Sequence, residues 1–135
     1  MTTTGGVLWT LSAEALRTID GDTQVYKVIQ TIRLPGESIT VEREFVVRLL
    51  EVNTPERGED LWAEATAFAK GKLFGPEGPV PVILRLSGRR DVYGRWLGWV
   101  TLADGKDLSA ELVAAGLGKW AAVYRQARHF AGEDA

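Results

Sequence analysis

The chain has 135 residues, enough for one domain to bury a core without covalent staples, and it has no cysteine, which excludes a disulfide framework and a thiolate metal site. Sixteen Lys and Arg against 18 Asp and Glu give a net charge of −2, so the field of the whole molecule does not gather polyanions and nucleic-acid binding has to come from local cation clusters. The opening MTTTGGVLWTL has no basic region followed by a long apolar run, so it reads neither as a signal peptide nor as a membrane span, and the compartment stays open between the cytoplasm and a secreted mature form.

Residues 7–19 and 23–34 are rich in Val, Ile, Leu, Thr and Tyr and predict two strands broken at Asp20-Gly21-Asp22. Leu34-Pro35-Gly36-Glu37-Ser38 is a second turn, and residues 39–52 predict a long third strand in an antiparallel meander. From Leu61 the period changes: Leu61, Ala65, Phe68, Ala69 and Leu73 fall at helical spacing, and Gly75-Pro76 stops the helix. Residues 80–87 and 95–102 predict a second hairpin, followed by a turn at Asp104-Gly105. Asp107 then caps a helix that runs to about Ala115 and stops at Gly116. Five strands, a helix after the third and another at the end predict an α+β, mainly β, OB-fold barrel: a small, partly open barrel in a single domain spanning residues 1–135. Trp96 and Trp99 lie on opposite faces of one strand, so at most one is fully inside.

The segment RLLEVNTPE, Arg48 to Glu56, sets an obligate cation among Phe45, Val46, Val47, Leu49, Leu50 and Val52, and a buried charge requires a partner. That partner is a substrate phosphate, which a guanidinium fork matches bidentately, or an internal carboxylate such as Glu51, unless the side chain snorkels at the strand end. A further basic cluster, Arg85, Arg89, Arg90 and Arg95, falls within eleven residues, and Arg125 and Arg128 follow Tyr124. Most such runs are solvated faces.

RLLEVNTPE, the turn TIDGDT at residues 18–23 and DVYGRWLGWV at residues 91–100 occur in one order. Together with WAEATAFAKGKL and ADGKDLSAELVAAGLGKW they make a chain that resembles the staphylococcal nuclease (thermonuclease) family over roughly residues 14 to 124. Against that resemblance the hairpin at residues 23–52 is long, which implies a tip projecting beyond the barrel, and the family's long C-terminal helix is expected to be largely absent.

The resemblance implies a calcium-dependent nuclease that hydrolyses phosphodiester bonds of DNA and RNA and leaves 3′-phosphate ends. It places Glu56 as general base, Arg48 and Arg95 as phosphate-binding arginines, and Asp22, Asn53 and the Thr54 carbonyl as calcium ligands. Tyr93 and Tyr124 fall on positions that touch the terminal phosphate or stack near the base, with Leu49 and Leu97 lining the base pocket. The chemistry agrees in kind, since phosphodiester hydrolysis needs an oriented water and cations where charge gathers on the phosphoryl oxygens. Asn53 departs from the family's aspartate and removes a ligand charge, which Asp20, Glu51 or Glu59 would have to supply. A lysine and a tyrosine of the family pattern are Val92 and Ala122 here. The competing expectation is a non-catalytic OB module that binds nucleic acid or protein. Either is expected to be a monomer without a membrane partner.

Overall fold

Alternation of buried and exposed residues is clearest over residues 82–86, with Val82, Leu84 and Leu86 inward and Ile83 and Arg85 outward. The computed structural model describes residues 8–121. Its principal strands are β1 (Trp9–Asp20), β2 (Thr23–Leu34), β3 (Glu37–Leu49), β7 (Val82–Arg90) and β8 (Trp96–Thr101). They form a closed barrel in the order β1-β2-β3-β8-β7, in which β7 returns to β1 through the pairs Trp9↔Leu86 to Ala13↔Val82. The barrel expected to be partly open is therefore closed. β3 and β8 supply its one parallel contact, Val47↔Trp96 to Leu49↔Gly98. The α+β, mainly β, OB-fold architecture is the one the element order predicts.

Helix α1 (Trp62–Leu73) follows the third long strand and buries Ala65, Ala69 and Leu73 on one face. Leu61 does not belong to it: it has a left-handed φ of 68° and remains exposed. The chain leaves α1 through a small hairpin of β5 (Phe74–Gly75) and β6 (Gly78–Pro79). Helix α2 (Leu108–Ala114) is capped as its sequence predicts, the Asp107 carboxylate accepting from Ala110 N at 3.0 Å. Trp96 and Trp99 are both half-buried, beneath Arg90 and Arg85 respectively.

The predicted strand over residues 39–52 is interrupted. β3 ends at Leu49, Glu51 turns the backbone with φ 68°, and β4 (Val52–Asn53) pairs instead with β9 (Lys119–Trp120) after α2. This break lets the carbonyls of residues 49 and 52 converge on the side chain of Arg48. At the other end of β3 the hairpin does project: β1 accompanies β2 only as far as Lys27, and β3 meets β8 only from Val47 onward, so residues 28–45 form a two-stranded arm.

Two features tie the core to the turns. Tyr26 and Gln24 are fully buried: the Tyr26 hydroxyl donates to Gln24 Oε1 at 2.9 Å, and Gln24 Nε2 donates to the Gly21 carbonyl at 2.7 Å. This string anchors the β1–β2 turn, and burial raises the Tyr26 phenol well above its ordinary range. Gly98 lies so close to β7 that a Cβ there would stand 2.3 Å from the Arg85 carbonyl oxygen. Tyr26→Phe, which strands Gln24 Oε1 without its donor, is expected to cost about 1–3 kcal/mol in urea denaturation. Gly98→Ala has to pry β7 from β8 and is expected to cost about 3 kcal/mol or more in the same measurement.

Candidate active site

The Arg48 guanidinium is buried, as its neighbours require, and its partners come from three segments. Nη2 lies 3.4 Å from Asp22 Oδ2 and donates to Asn53 Oδ1 at 2.6 Å, while Nη1 donates to the carbonyls of Val52, at 2.7 Å, and of Leu49. The carboxylate beside Arg48 is thus Asp22 and not Glu51, which is exposed and turned away by its left-handed backbone. Asp22 is itself buried and holds more than the arginine. Its Oδ2 accepts from Thr54 N at 2.9 Å, its Oδ1 from the Thr23 hydroxyl at 3.1 Å, and its carbonyl from Leu49 N at 2.8 Å. Gly21 permits this close approach, since a Cβ there would come within 3.0 Å of both Thr54 and Ala65.

Arg95 is positioned by a second buried carboxylate, Asp91, at the first residue of its own turn. Asp91 Oδ1 accepts from the backbone N–H groups of Tyr93 and Arg95, both at 2.9 Å, and Oδ2 accepts from Arg95 Nε at 2.7 Å. Arg95 Nη1 then reaches Thr23 Oγ1 at 3.4 Å. A single polar chain therefore joins the two arginines: Arg95 to Thr23, Thr23 to Asp22, Asp22 to Arg48. The sequence reading assigned no role to Asp91 or Thr23. The signal for Asp91 is its place four residues before Arg95 in a D-x-x-G turn, where an aspartate folds back on its own backbone.

Of the other expected ligands, Thr54 turns its side chain inward, where its hydroxyl is buried with no hydrogen-bond partner among the described residues. Asn53 offers its amide oxygen to Arg48. Asp20 accepts from Trp62 Nε1 at 2.6 Å, and Glu59 Oε1 accepts from Glu56 N at 2.7 Å, so these two carboxylates are engaged away from Asn53. Among the described residues no group of three or more His, Cys, Asp or Glu is arranged to hold a metal ion. What Asp22, Asn53 and the Thr54 carbonyl offer is an all-oxygen set with a single negative charge, which suits a hard divalent cation in ligand type, but Asp22 Oδ2 and Asn53 Oδ1 already face the Arg48 guanidinium, whose charge opposes a cation and leaves weak affinity at most.

Glu56 is exposed in the turn between β4 and α1, a short span of chain from Asn53 and Thr54. Tyr93 is 73 % exposed, with Arg95 against its ring at 5.2 Å. Leu49 and Leu97 are at most 1 % exposed, so neither presents surface to a base in this conformation; the alternation that puts Leu49 inside the barrel also removes it from the surface. Tyr124 lies outside the described residues, as do Ala122, Arg125 and Arg128. No helix among the described residues is long and apolar enough to cross a membrane.

The structure thus brings Arg48, Asp22, Asn53, Thr54 and Arg95 into one connected cluster at the ends of β2, β3 and β8, on a barrel of the kind that holds oligonucleotides. A family model described as staphylococcal nuclease homologue matches residues 46–133, a span containing every one of these except Asp22, and Glu56 and Tyr93 besides. The match covers well over half of the chain and carries with it a nuclease-like or nucleic-acid-binding role: the chain belongs to the staphylococcal nuclease homologue family.

Proposed function

We propose that the protein is a divalent-cation-dependent phosphodiesterase acting on DNA and RNA. The observation that carries this reading is the polar chain from Arg95 through Thr23 and Asp22 to Arg48, which holds two guanidinium groups in fixed relation, with an exposed acid, Glu56, following Thr54 in the chain. A phosphate entering between the arginines would take hydrogen bonds from donors already oriented, so little reorganisation remains as charge develops on its oxygens. Glu56 would receive the proton of the attacking water, and the exposure of its side chain leaves it accessible to solvent. Asp22, Asn53 and the Thr54 carbonyl would hold the cation, calcium by resemblance, which when bound neutralises charge on the phosphoryl oxygens. Indifference to the sugar follows from chemistry centred on phosphate, and 3′-phosphate products are part of the family resemblance.

One observation favours a second reading. Arg48 is engaged by Asp22, Asn53 and two backbone carbonyls, the arrangement of a structural arginine, and Asn53 carries no charge. A non-catalytic module that binds nucleic acid or protein would need no more than this.

The two readings separate on the same set of variants. For the hydrolase, cleavage of single-stranded DNA in millimolar calcium disappears with a chelator, and Glu56→Gln lowers turnover by roughly 100-fold to 10,000-fold with oligonucleotide affinity little changed. For the module no cation elicits cleavage, Glu56→Gln leaves binding equal or slightly stronger, and Arg95→Ala weakens binding and flattens its salt dependence. Asn53→Asp adds a charged ligand and is expected to tighten calcium binding by about tenfold or more in titration calorimetry. Unchanged affinity would remove residue 53 from the cation site.

A further inference from the structure

The arm formed by residues 28–45 is the part of the molecule that the nuclease reading leaves without a role. Its two strands pair without a register shift from Thr23↔Arg48 to Leu34↔Glu37, and the outer half of β3, residues 37–45, has no strand on its other side among the described residues. Natural sheets blunt such edges with bulges, prolines or charged residues; this edge has no bulge and no proline, and its charges, Glu37, Glu42, Arg43 and Glu44, include both signs. It exposes apolar side chains as well: Ile39 is 45 % and Val41 41 % exposed, beside Ile32 at 50 %.

The direction of the free backbone groups follows from the turn. Leu34 and Glu37 close a two-residue loop, so they form a hydrogen-bonded pair, and pairs alternate from there. Ile39, Val41 and Arg43 thus bond to β2, whereas Ser38, Thr40 and Glu42 turn their N–H and C=O groups outward. The hydroxyls of Thr31 and Thr40, 3.4 Å apart, suit the closer spacing of a non-hydrogen-bonded pair.

We propose that this edge pairs antiparallel with the same edge of a second copy of the chain, about a twofold axis at Thr40, joining the two arms into a four-stranded sheet. Charge and shape select that register. With Thr40 opposite Thr40, each Glu37 faces Arg43 of the second copy, each Ile39 faces Val41, and each Ser38 faces Glu42. Arg33, beside Ser38 on β2, then reaches across that small residue toward the same Glu42. The outward backbone groups of Ser38, Thr40 and Glu42 all find partners, because these three meet only one another; those of Glu44 fall opposite the turn of the second copy and lie outside the ladder. A shift by one residue sets Glu37 against Glu44 and turns apolar faces to opposite sides; shifts by two in either direction part Ile39 from Val41 and Glu37 from Arg43. The contact is isologous and closes on itself, so it yields a dimer and not a fibre. The sequence reading expects a monomer; the arm argues for a pair.

Sedimentation of the full chain from about 1 to 100 μM tests this, with a monomer–dimer equilibrium expected across that range. Thr40→Pro removes an N–H that only the intermolecular ladder uses and should abolish the dimer. Because proline can also disturb the arm, charge reversal provides a second measure: Glu37→Arg or Arg43→Glu alone should weaken dimerisation at least about tenfold, and the two together should restore it. The cysteine-free chain allows a direct check. Thr40→Cys should oxidise to a covalent dimer, its paired Cα atoms being about 5.5 Å apart, within disulfide reach. Thr31→Cys, three strand spacings from its copy, should not. A chain that stays monomeric at the highest concentration, or a dimer indifferent to Thr40→Pro and to both charge reversals, would overturn the proposal.

Discussion

The contact between Arg48 and Asp22 is the constraint on which the site is built. Asp22 belongs to the turn after β1 and Arg48 to the end of β3, and through its own backbone and carboxylate Asp22 also holds Leu49 and Thr54. One buried carboxylate therefore sets the positions of three segments that the sequence separates by up to 32 residues. Removing either member would leave the other as an uncompensated buried charge, at a cost of about 3–5 kcal/mol. The same pair explains why β3 stops where it does. If the strand continued through Glu51, the carbonyls of Leu49 and Val52 would enter the sheet ladder, and Arg48 would lose two of its acceptors.

Much of this was legible in the sequence, for reasons that differ by element. The barrel strands were marked by runs of Val, Ile, Leu, Thr and Tyr broken at turn residues, α1 by helical spacing and α2 by its capping aspartate, signals local to the chain. The apolar neighbours of Arg48 pointed to a buried, partnered charge but left open a snorkelling side chain or a substrate phosphate, and the structure shows it buried against Asp22. What local patterns could not supply was the partner's identity: Glu51 is adjacent in sequence, yet a left-handed residue points it away, and Asp22 arrives from another turn. Leu49 and Leu97 were read as pocket walls because of their positions in motifs; burial of both is a property of barrel closure, which only the β1–β7 pairing settles. Asp91 went unassigned because an aspartate heading a turn has an ordinary local explanation, and its contact with Arg95 Nε appears only once the turn is folded.

The chain divides into a portion that matches the family and one that does not enter that match. Residues 46–133 carry Arg48, Arg95, Glu56 and the helices, whereas β1, β2 and the whole arm precede the matched span. Asp22 sits in that earlier portion and still organises the later one. The arm is different: Val28 and Phe45 reach the core at its base, but its outer part, from Ile29 to Glu44, pairs only with itself among the described residues, so its regular pairing and its apolar edge are not explained by the demands of the barrel.

Asn53 affects the site in two opposed ways. A carboxylate at this position would add charge to the oxygen set, but it would also grip Arg48 through a charge-assisted bond, roughly twice as strong as one to a neutral amide. With Asn53, the acceptor that residue 53 offers Arg48 is a neutral amide, alongside the peptide carbonyls of Leu49 and Val52. On the hydrolase reading, a phosphate has to draw hydrogen bonds from that guanidinium, and it competes more easily with neutral acceptors than with a second carboxylate. On that reading, an asparagine at residue 53 would give up ligand charge and loosen one of the contacts on Arg48. A site of this kind would depend more on its guanidinium groups and less on bound metal than one with an aspartate at residue 53.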